Sequence, residues 1–110
     1  MRTLKFRTWS KQAQCIIPWE ELKPKFVKLL DNPEYPYMQF TGLLDKSGVE
    51  IYEGDIVKWQ HSLKGGIVAI IFKDGCFCVA GFYIDASWNK PPEVIGNIYK
   101  NPELIKGEIR

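Results

Sequence analysis

The feature that most constrains the fold of this chain is the stretch of residues 38–59, in which β-favouring runs are separated by two polar bends. The first bend, residues 45–48, reads Asp-Lys-Ser-Gly. Aspartate can accept hydrogen bonds from its own backbone and glycine readily takes positive φ, so this bend predicts a β-hairpin. The second bend, residues 53–55, leads into a further run with a period of two. We therefore predict a small antiparallel meander over residues 38–59.

Short β-favouring runs between turns fill most of the remaining chain. Residues 4–9 place Lys5 and Arg7 opposite apolar side chains, which predicts a strand with one apolar face and one solvent-exposed basic face. Residues 67–72 are all apolar, which predicts one central strand. The dipeptide Asp74-Gly75 then predicts a hairpin. Further strands are predicted at residues 15–17, 76–84 and 93–99.

Helical spacing occurs in one segment, where the apolar residues are Trp19, Leu22, Phe26 and Leu29. Pro24 lies within this pattern and removes a backbone donor, so we predict two short helical turns instead of one helix. A loop at residues 31–36 and a last helical turn at residues 104–106 follow from their prolines and polar residues.

The fold class follows from many short strands with frequent turns in a chain of 110 residues. That length suits a single domain, residues 1–110. We predict a mainly β fold, either a small SH3-like or incomplete barrel or a twisted antiparallel meander, with short helical turns.

Three blocks follow one another in the sequence: Phe6-Arg7-x-Trp9, the stretch 38–59, and residues 93–99 followed by Asn-Pro-Glu-Leu at 101–104. Together they resemble the YopX family, small proteins typical of bacterial phages and prophages. The resemblance implies a mostly β, barrel-like fold, a phage or prophage origin and no established biochemical activity. Residues 10–37 and 60–92 carry little of the family pattern, so a special function of this chain is expected there.

Charge is unevenly distributed along the chain, although the formal net charge is only +2. Residues 1–30 carry a local charge of +5 and residues 31–57 a local charge of −5. Two interpretations remain open: the blocks face each other across neighbouring strands, or they form self-complementary surfaces for a homo-oligomer. Because a protein that neutralises many phosphates usually carries a larger, clustered excess, nucleic acid is the less favoured partner.

The cysteines and the chain start indicate a reducing compartment. Residues 1–7 carry frequent charges and no later run reaches transmembrane length, so we expect a cytoplasmic protein that does not enter a membrane. Cys15, Cys76 and Cys78 lack a disulfide framework, and the Cys-x-Cys spacing is too short for a usual zinc knuckle. We expect reduced thiols, with Cys76 and Cys78 as small core residues, and neither metal nor cofactor.

Catalytic candidates are few. His61 is the only histidine and no nucleophile motif accompanies it, so we predict that the protein is not an enzyme. A second candidate is an acidic cluster around the two bends of the predicted meander. Paired carboxylates suit a cation or acid and base chemistry, but turn capping already explains the aspartates in such positions. The cluster comprises Asp45, Glu50, Glu53 and Asp55.

Two functional hypotheses follow. The first is a non-enzymatic module that binds a host or phage protein, favoured by the surplus of aromatic rings and by loops that display His61 and Trp88. The second is a small nucleic-acid-binding barrel, in which a basic first strand contacts phosphates and nearby rings stack on bases. The predicted binding residues are Arg7, Trp9, Trp59, His61 and Trp88.

Overall fold

Residues 3–60, 65–73, 75–79, 82–83 and 91–105 are described by the computed structural model of this chain. The fold is mainly β, and its antiparallel strands form a curled half-barrel with short helical turns, which confirms the predicted fold class. The strands are β1 (Phe6–Ser10), β2 (Cys15–Ile17), β3 (Tyr37–Leu44), β4 (Glu50–Tyr52), β5 (Asp55–Gln60), β6 (Gly65–Ala69), β7 (Ile71–Lys73), β8 (Cys76–Val79), β9 (Phe82–Tyr83) and β10 (Glu93–Asn97). The helical elements are α1 (Trp19–Leu22), a 3-10 helix (Lys23–Lys25), α2 (Phe26–Leu29) and a second 3-10 helix (Pro102–Ile105).

The strands pair in three sheets, with the orders β2-β1-β3-β4, β10-β5-β6 and β7-β8-β9. The hairpin predicted at residues 45–48 is present, but the meander is wrong in its second half, because β5 pairs with β10 and β6 and not with β4. The bend between β4 and β5 accounts for this. Gly54, at φ +89°, donates its N–H to the carbonyl of Ile70 and accepts a hydrogen bond from Ile98, each at 2.9 Å. These two hydrogen bonds hold the bend beside the sheet with the order β10-β5-β6.

The single central strand predicted at residues 67–72 is also wrong. It is divided at Ile70 into β6 and β7, which lie at the edges of two different sheets in the described part of the chain. The side chain of Ile70 is buried with Ile51 and Val57, and its N–H donates to the carbonyl of Asp55 at 2.8 Å. Ile70 is a core residue whereas Ile71 and Phe72 are exposed, so the apolar run does not form one strand that is covered on both faces.

The return segment predicted at residues 76–84 consists of β8 and β9, which pair antiparallel with each other. Gly81, a residue at which a bulge or bend is expected within a strand, and Asp74 of the predicted hairpin lie outside the described residues. Gly75 has φ +81°, and β7 and β8 pair antiparallel as a hairpin requires. The last predicted strand is present as β10, with a register shift between Val94 and Gly96.

Two apolar clusters form the described core. One contains Ile51, Val57 and Ile70, and the other contains Trp9, Met38, Phe40 and Tyr52. Ile51 and Tyr52 are neighbours on β4, and alternate side chains of a strand point to opposite faces. Both faces of this short strand are therefore covered, each by a different cluster.

The helical segment covers the outer face of β1. Leu22 is fully buried, and Phe6 of β1 packs against Trp19 and Phe26 with ring centroids 6.1 and 4.7 Å apart. The predicted interruption at Pro24 is confirmed, since α1 and α2 are separated by a single 3-10 turn. Within the described ranges, no helix has the length and apolar character needed to cross a membrane.

Candidate functional site

Arg7 of β1 lies at the centre of the buried polar contacts. Its guanidinium donates to Oδ1 of Asp55 on β5 and stacks over the ring of Tyr52, 4.3 Å from the ring centre. The other carboxylate oxygen of Asp55 accepts the backbone N–H of Tyr52 at 2.7 Å. Asp55 is 1% exposed, and the Arg7 side chain is 16% exposed. One carboxylate thus links β1, β4 and β5 across two sheets.

Burial raises the pKa of Asp55, while the positive charge of Arg7 and the bond from the Tyr52 backbone oppose that rise. Tyr52 is also buried, and this burial, with the negative charge of Glu50, raises its pKa to about 12. Its hydroxyl donates to Glu50 at 3.2 Å. A phenol with this pKa stays neutral near pH 7, so Tyr52 acts here as a hydrogen-bond donor and as a platform for Arg7.

The solvent-exposed basic face predicted for the first strand is wrong. Lys5 pairs with Glu50 and lies over the ring of Phe40, while Arg7 is held by Asp55. This face turns toward the aromatic side chains of β3 and β4, and the opposite face is covered by the helical segment. These two pairs join the basic and acidic blocks within one chain, as the first interpretation predicted, but β1 is not a hydrogen-bonded neighbour of β4 or β5.

A cavity of about 260 Å³ lies beside this polar centre. Arg7, Glu50 and Tyr52 line it together with apolar side chains from the end of β2 and the start of β4. Both charged residues already have partners, Asp55 for Arg7 and Lys5 for Glu50. The cavity therefore presents balanced charge, and the contacts around it serve to join the sheets.

Of the five predicted binding residues, Arg7 and Trp9 are those whose side chains the structure describes. Trp9 is 4% exposed and stacks on Tyr99 with centroids 6.1 Å apart, so its ring belongs to the core. Trp59 belongs to β5, but its side chain is not described, and His61 and Trp88 lie outside the described residues. Arg7 and Trp9 are thus brought together in one covered layer. Partner binding by these residues stays a prediction.

The two aspartates of the acidic cluster cap turns, as predicted. Asp45 is 5% exposed and accepts backbone N–H groups from Ser47 at 2.8 Å and from Val49 and Val94 at 2.9 Å. Two of these bonds close the hairpin turn and the third attaches β10 to it. Burial raises the pKa of Asp45, whereas the three backbone donors and the positive charge of Lys46 together lower it by a larger amount. The net result is a pKa below the ordinary value of an aspartate.

The remaining candidates for metal binding are dispersed. Cys78 is buried and Cys76 half-buried, as expected for core residues, whereas Cys15 is exposed. Burial raises the pKa of Glu53, against a backbone hydrogen bond from Gln39 that lowers it. Across the described ranges, no group of three or more histidine, cysteine, aspartate or glutamate residues is arranged to hold a metal ion.

A surface feature that the sequence analysis missed lies between the helical segment and β3. We call it the tyrosine-proline groove, with a volume of about 290 Å³. Tyr37 is 46% exposed, and its ring is supported by Phe6 and Phe26 at centroid distances of 5.8 and 6.3 Å. The groove is lined by Leu30, Asp31, Asn32, Pro33, Tyr35, Pro36 and Tyr37.

The wall of this groove is held by backbone hydrogen bonds. Asn32 accepts from the N–H of Tyr35 and, through its side chain, from the N–H of Glu34, both at 2.9 Å. The carbonyls of Glu34 and Pro36 accept N–H groups from Lys11 and Trp9 at 3.2 and 3.1 Å. The segment is thus held by its own turn and by hydrogen bonds to the hairpin of β1 and β2. Its sequence signal was the spacing of two tyrosines and two prolines in residues 33–37, which the loop prediction did not use.

Two solved structures share this fold. Protein EF1440 from Enterococcus faecalis is 24% identical, with a TM-score of 0.67 and coverage of 96% of this chain and 99% of that chain. Protein yopX from Bacillus subtilis is 21% identical, with a TM-score of 0.59 and coverage of 94% and 96%. A comparison with curated proteins gave no match. Residues 23–106 match the protein family described as YopX protein, which is well over half of the sequence. The chain therefore belongs to the YopX family.

Proposed function

We propose that this chain is a non-enzymatic protein-binding module that serves a phage or prophage in the cytoplasm of its bacterial host. The observation that carries the proposal is the tyrosine-proline groove together with its apolar rim. Val27, one helical turn before Leu30, is 85% exposed, and both lie on the same side of the helical segment. An open groove with aromatic walls and an apolar rim is typical of a protein-binding surface.

Nucleic acid is the less favoured partner because two of the expected phosphate contacts are already engaged. Lys5 and Arg7 each form an ion pair with a carboxylate, and the ring of Trp9 is buried. Binding to phosphate through these residues would require the loss of both ion pairs, and the Arg7–Asp55 pair joins two sheets. Arg2, a further basic residue near the start of the sequence, lies outside the described residues.

Self-association is a separate proposal. The charge blocks that suggested it pair within one chain through Lys5 with Glu50 and Arg7 with Asp55. What still favours a homo-oligomer is exposed apolar area on the described strands, where Ile71 and Phe72 are both exposed. Such side chains at a sheet edge are typical of surfaces that pair with another chain.

Capture from phage-infected host extract tests the protein-binding function. We expect the immobilised chain to retain a partner in nuclease-treated extract, and Tyr35→Ala to reduce its capture about tenfold. Leu44→Ala is the matched control, because Leu44 is an exposed apolar residue on the far end of β3 and does not line the groove. It should retain capture.

Two results would contradict this function. One is capture that disappears with nuclease treatment and falls steeply with salt, which is the behaviour expected of phosphate contacts. The other is equal capture by the Tyr35→Ala and Leu44→Ala variants, which would place any binding surface away from the groove. Thermal melting of each variant distinguishes a lost contact from a lost fold.

A further inference from the structure

The chemistry of the tyrosine-proline groove restricts the kind of polypeptide that fits it. Grooves lined by aromatic side chains bind proline-rich segments in the polyproline II conformation, whose rings pack against the flat faces. Polyproline II has no internal hydrogen bonds, so its carbonyls remain free to accept. Tyr37, with nearly half of its surface exposed, and Tyr35 offer both a ring face and a phenolic donor. A helix satisfies most of its own backbone groups and would leave these donors unused.

Rigidity of the groove favours the same ligand. The Asn32 turn and the two hydrogen bonds to the hairpin of β1 and β2 hold the segment of residues 31–36 in place, and Phe6 and Phe26 support Tyr37. Proline-rich ligands are themselves stiff, so little conformational entropy is lost when two preformed surfaces meet.

The acidic residues at the groove favour a particular charge in the residues that flank the prolines of a ligand. Asp31 lines the groove and Glu34 lies exposed in the same segment. In the described part of the chain neither carboxylate forms an ion pair, since the pairs observed there involve other acidic residues. A ligand with a cation near its prolines would complement these two carboxylates, whereas an acidic flank would be repelled.

We infer that the tyrosine-proline groove binds a proline-rich segment in the polyproline II conformation with an arginine or lysine beside its prolines. This inference rests on the proposed protein-binding function and specifies the partner. The ring faces of Tyr35 and Tyr37 receive the prolines, and Asp31 receives the cation.

Titration of the ¹⁵N-labelled chain with three synthetic peptides of equal length tests the inference. The first is proline-rich with an arginine flank, the second has every proline replaced by alanine, and the third has a glutamate flank. We expect the first to shift backbone resonances within residues 30–37 and to bind about tenfold more tightly than either of the others. Tyr35→Ala should weaken that binding about tenfold, and Leu44→Ala should leave it unchanged.

Charge reversal supplies a test that does not depend on removing a ring. Asp31 is exposed, so Asp31→Lys should leave the fold intact. This variant should bind the glutamate-flanked peptide more tightly than the arginine-flanked peptide. Equal binding of the proline-rich and alanine peptides, shifts confined to residues outside 30–37, or an unchanged flank preference in Asp31→Lys would each overturn the inference.

The capture experiment separates this inference from the function on which it rests. If Tyr35→Ala abolishes capture from extract but no proline-rich peptide binds up to millimolar concentration, the partner class is wrong and the binding module stands. If neither capture nor peptide binding depends on Tyr35, both proposals are wrong.

Discussion

Replacing Asp55 with alanine should destabilise the fold by about 3–5 kcal/mol, because the substitution leaves the guanidinium of Arg7 without its partner in a largely buried position. It also removes the acceptor for the backbone N–H of Tyr52. Since Asp55 joins β1, β4 and β5, its loss affects both sheets that meet at the bend of Gly54. Urea unfolding followed by tryptophan fluorescence measures the change in the free energy of unfolding.

A double-mutant cycle supplies the control for this prediction. Arg7→Met removes the charge and replaces the guanidinium that lies over the ring of Tyr52 by an unbranched apolar side chain. Combined with Asp55→Leu, it replaces the pair by apolar groups, and we expect the double variant to be more stable than the Asp55→Leu single variant, which leaves Arg7 without its partner. Single variants within about 0.5 kcal/mol of the parent chain would contradict a structural role for the pair.

Replacing Asp45 with alanine should cost about 3 kcal/mol, since a charged acceptor is lost from three backbone donors at once. The hairpin turn and its attachment to β10 both depend on this carboxylate. The damage should therefore extend beyond the turn, and hydrogen exchange should increase at Val94 as well as at Val49. Faster exchange confined to residues 45–49 would show that the link to β10 contributes little.

The same residue gives a pH dependence with a definite sign. A carboxyl whose pKa is lowered on folding contributes stability above its unfolded-state value, 3.8 for Asp45, and that contribution is lost as the pH falls through the folded-state pKa. The difference in unfolding free energy between the parent chain and Asp45→Asn should thus be full above pH 3.8 and should shrink at lower pH. Because all other carboxyls are common to both proteins, a difference that grows on acidification would contradict the lowered pKa.

Local chemistry in the sequence was sufficient to predict the turns and the division of the helical segment. The Asp-Lys-Ser-Gly bend, the capping roles of Asp45 and Asp55 and the interruption at Pro24 all follow from side chains acting on backbone within a few residues. Such interactions need no knowledge of the rest of the fold, and they made the mainly β fold class predictable.

The tertiary structure alone decided what covers each face of a strand and which residues become surface. A period of two shows that Lys5 and Arg7 share a face, but it does not show that carboxylates 45 and 48 residues later in the chain lie against them. The same limit applies to Ile70, whose contacts divide an apolar run between two sheets, and to Tyr37, whose ring is supported by residues from two other elements. Local pattern determines the elements of this protein, whereas long-range packing determines its buried charges and its groove, because their partners are remote in sequence.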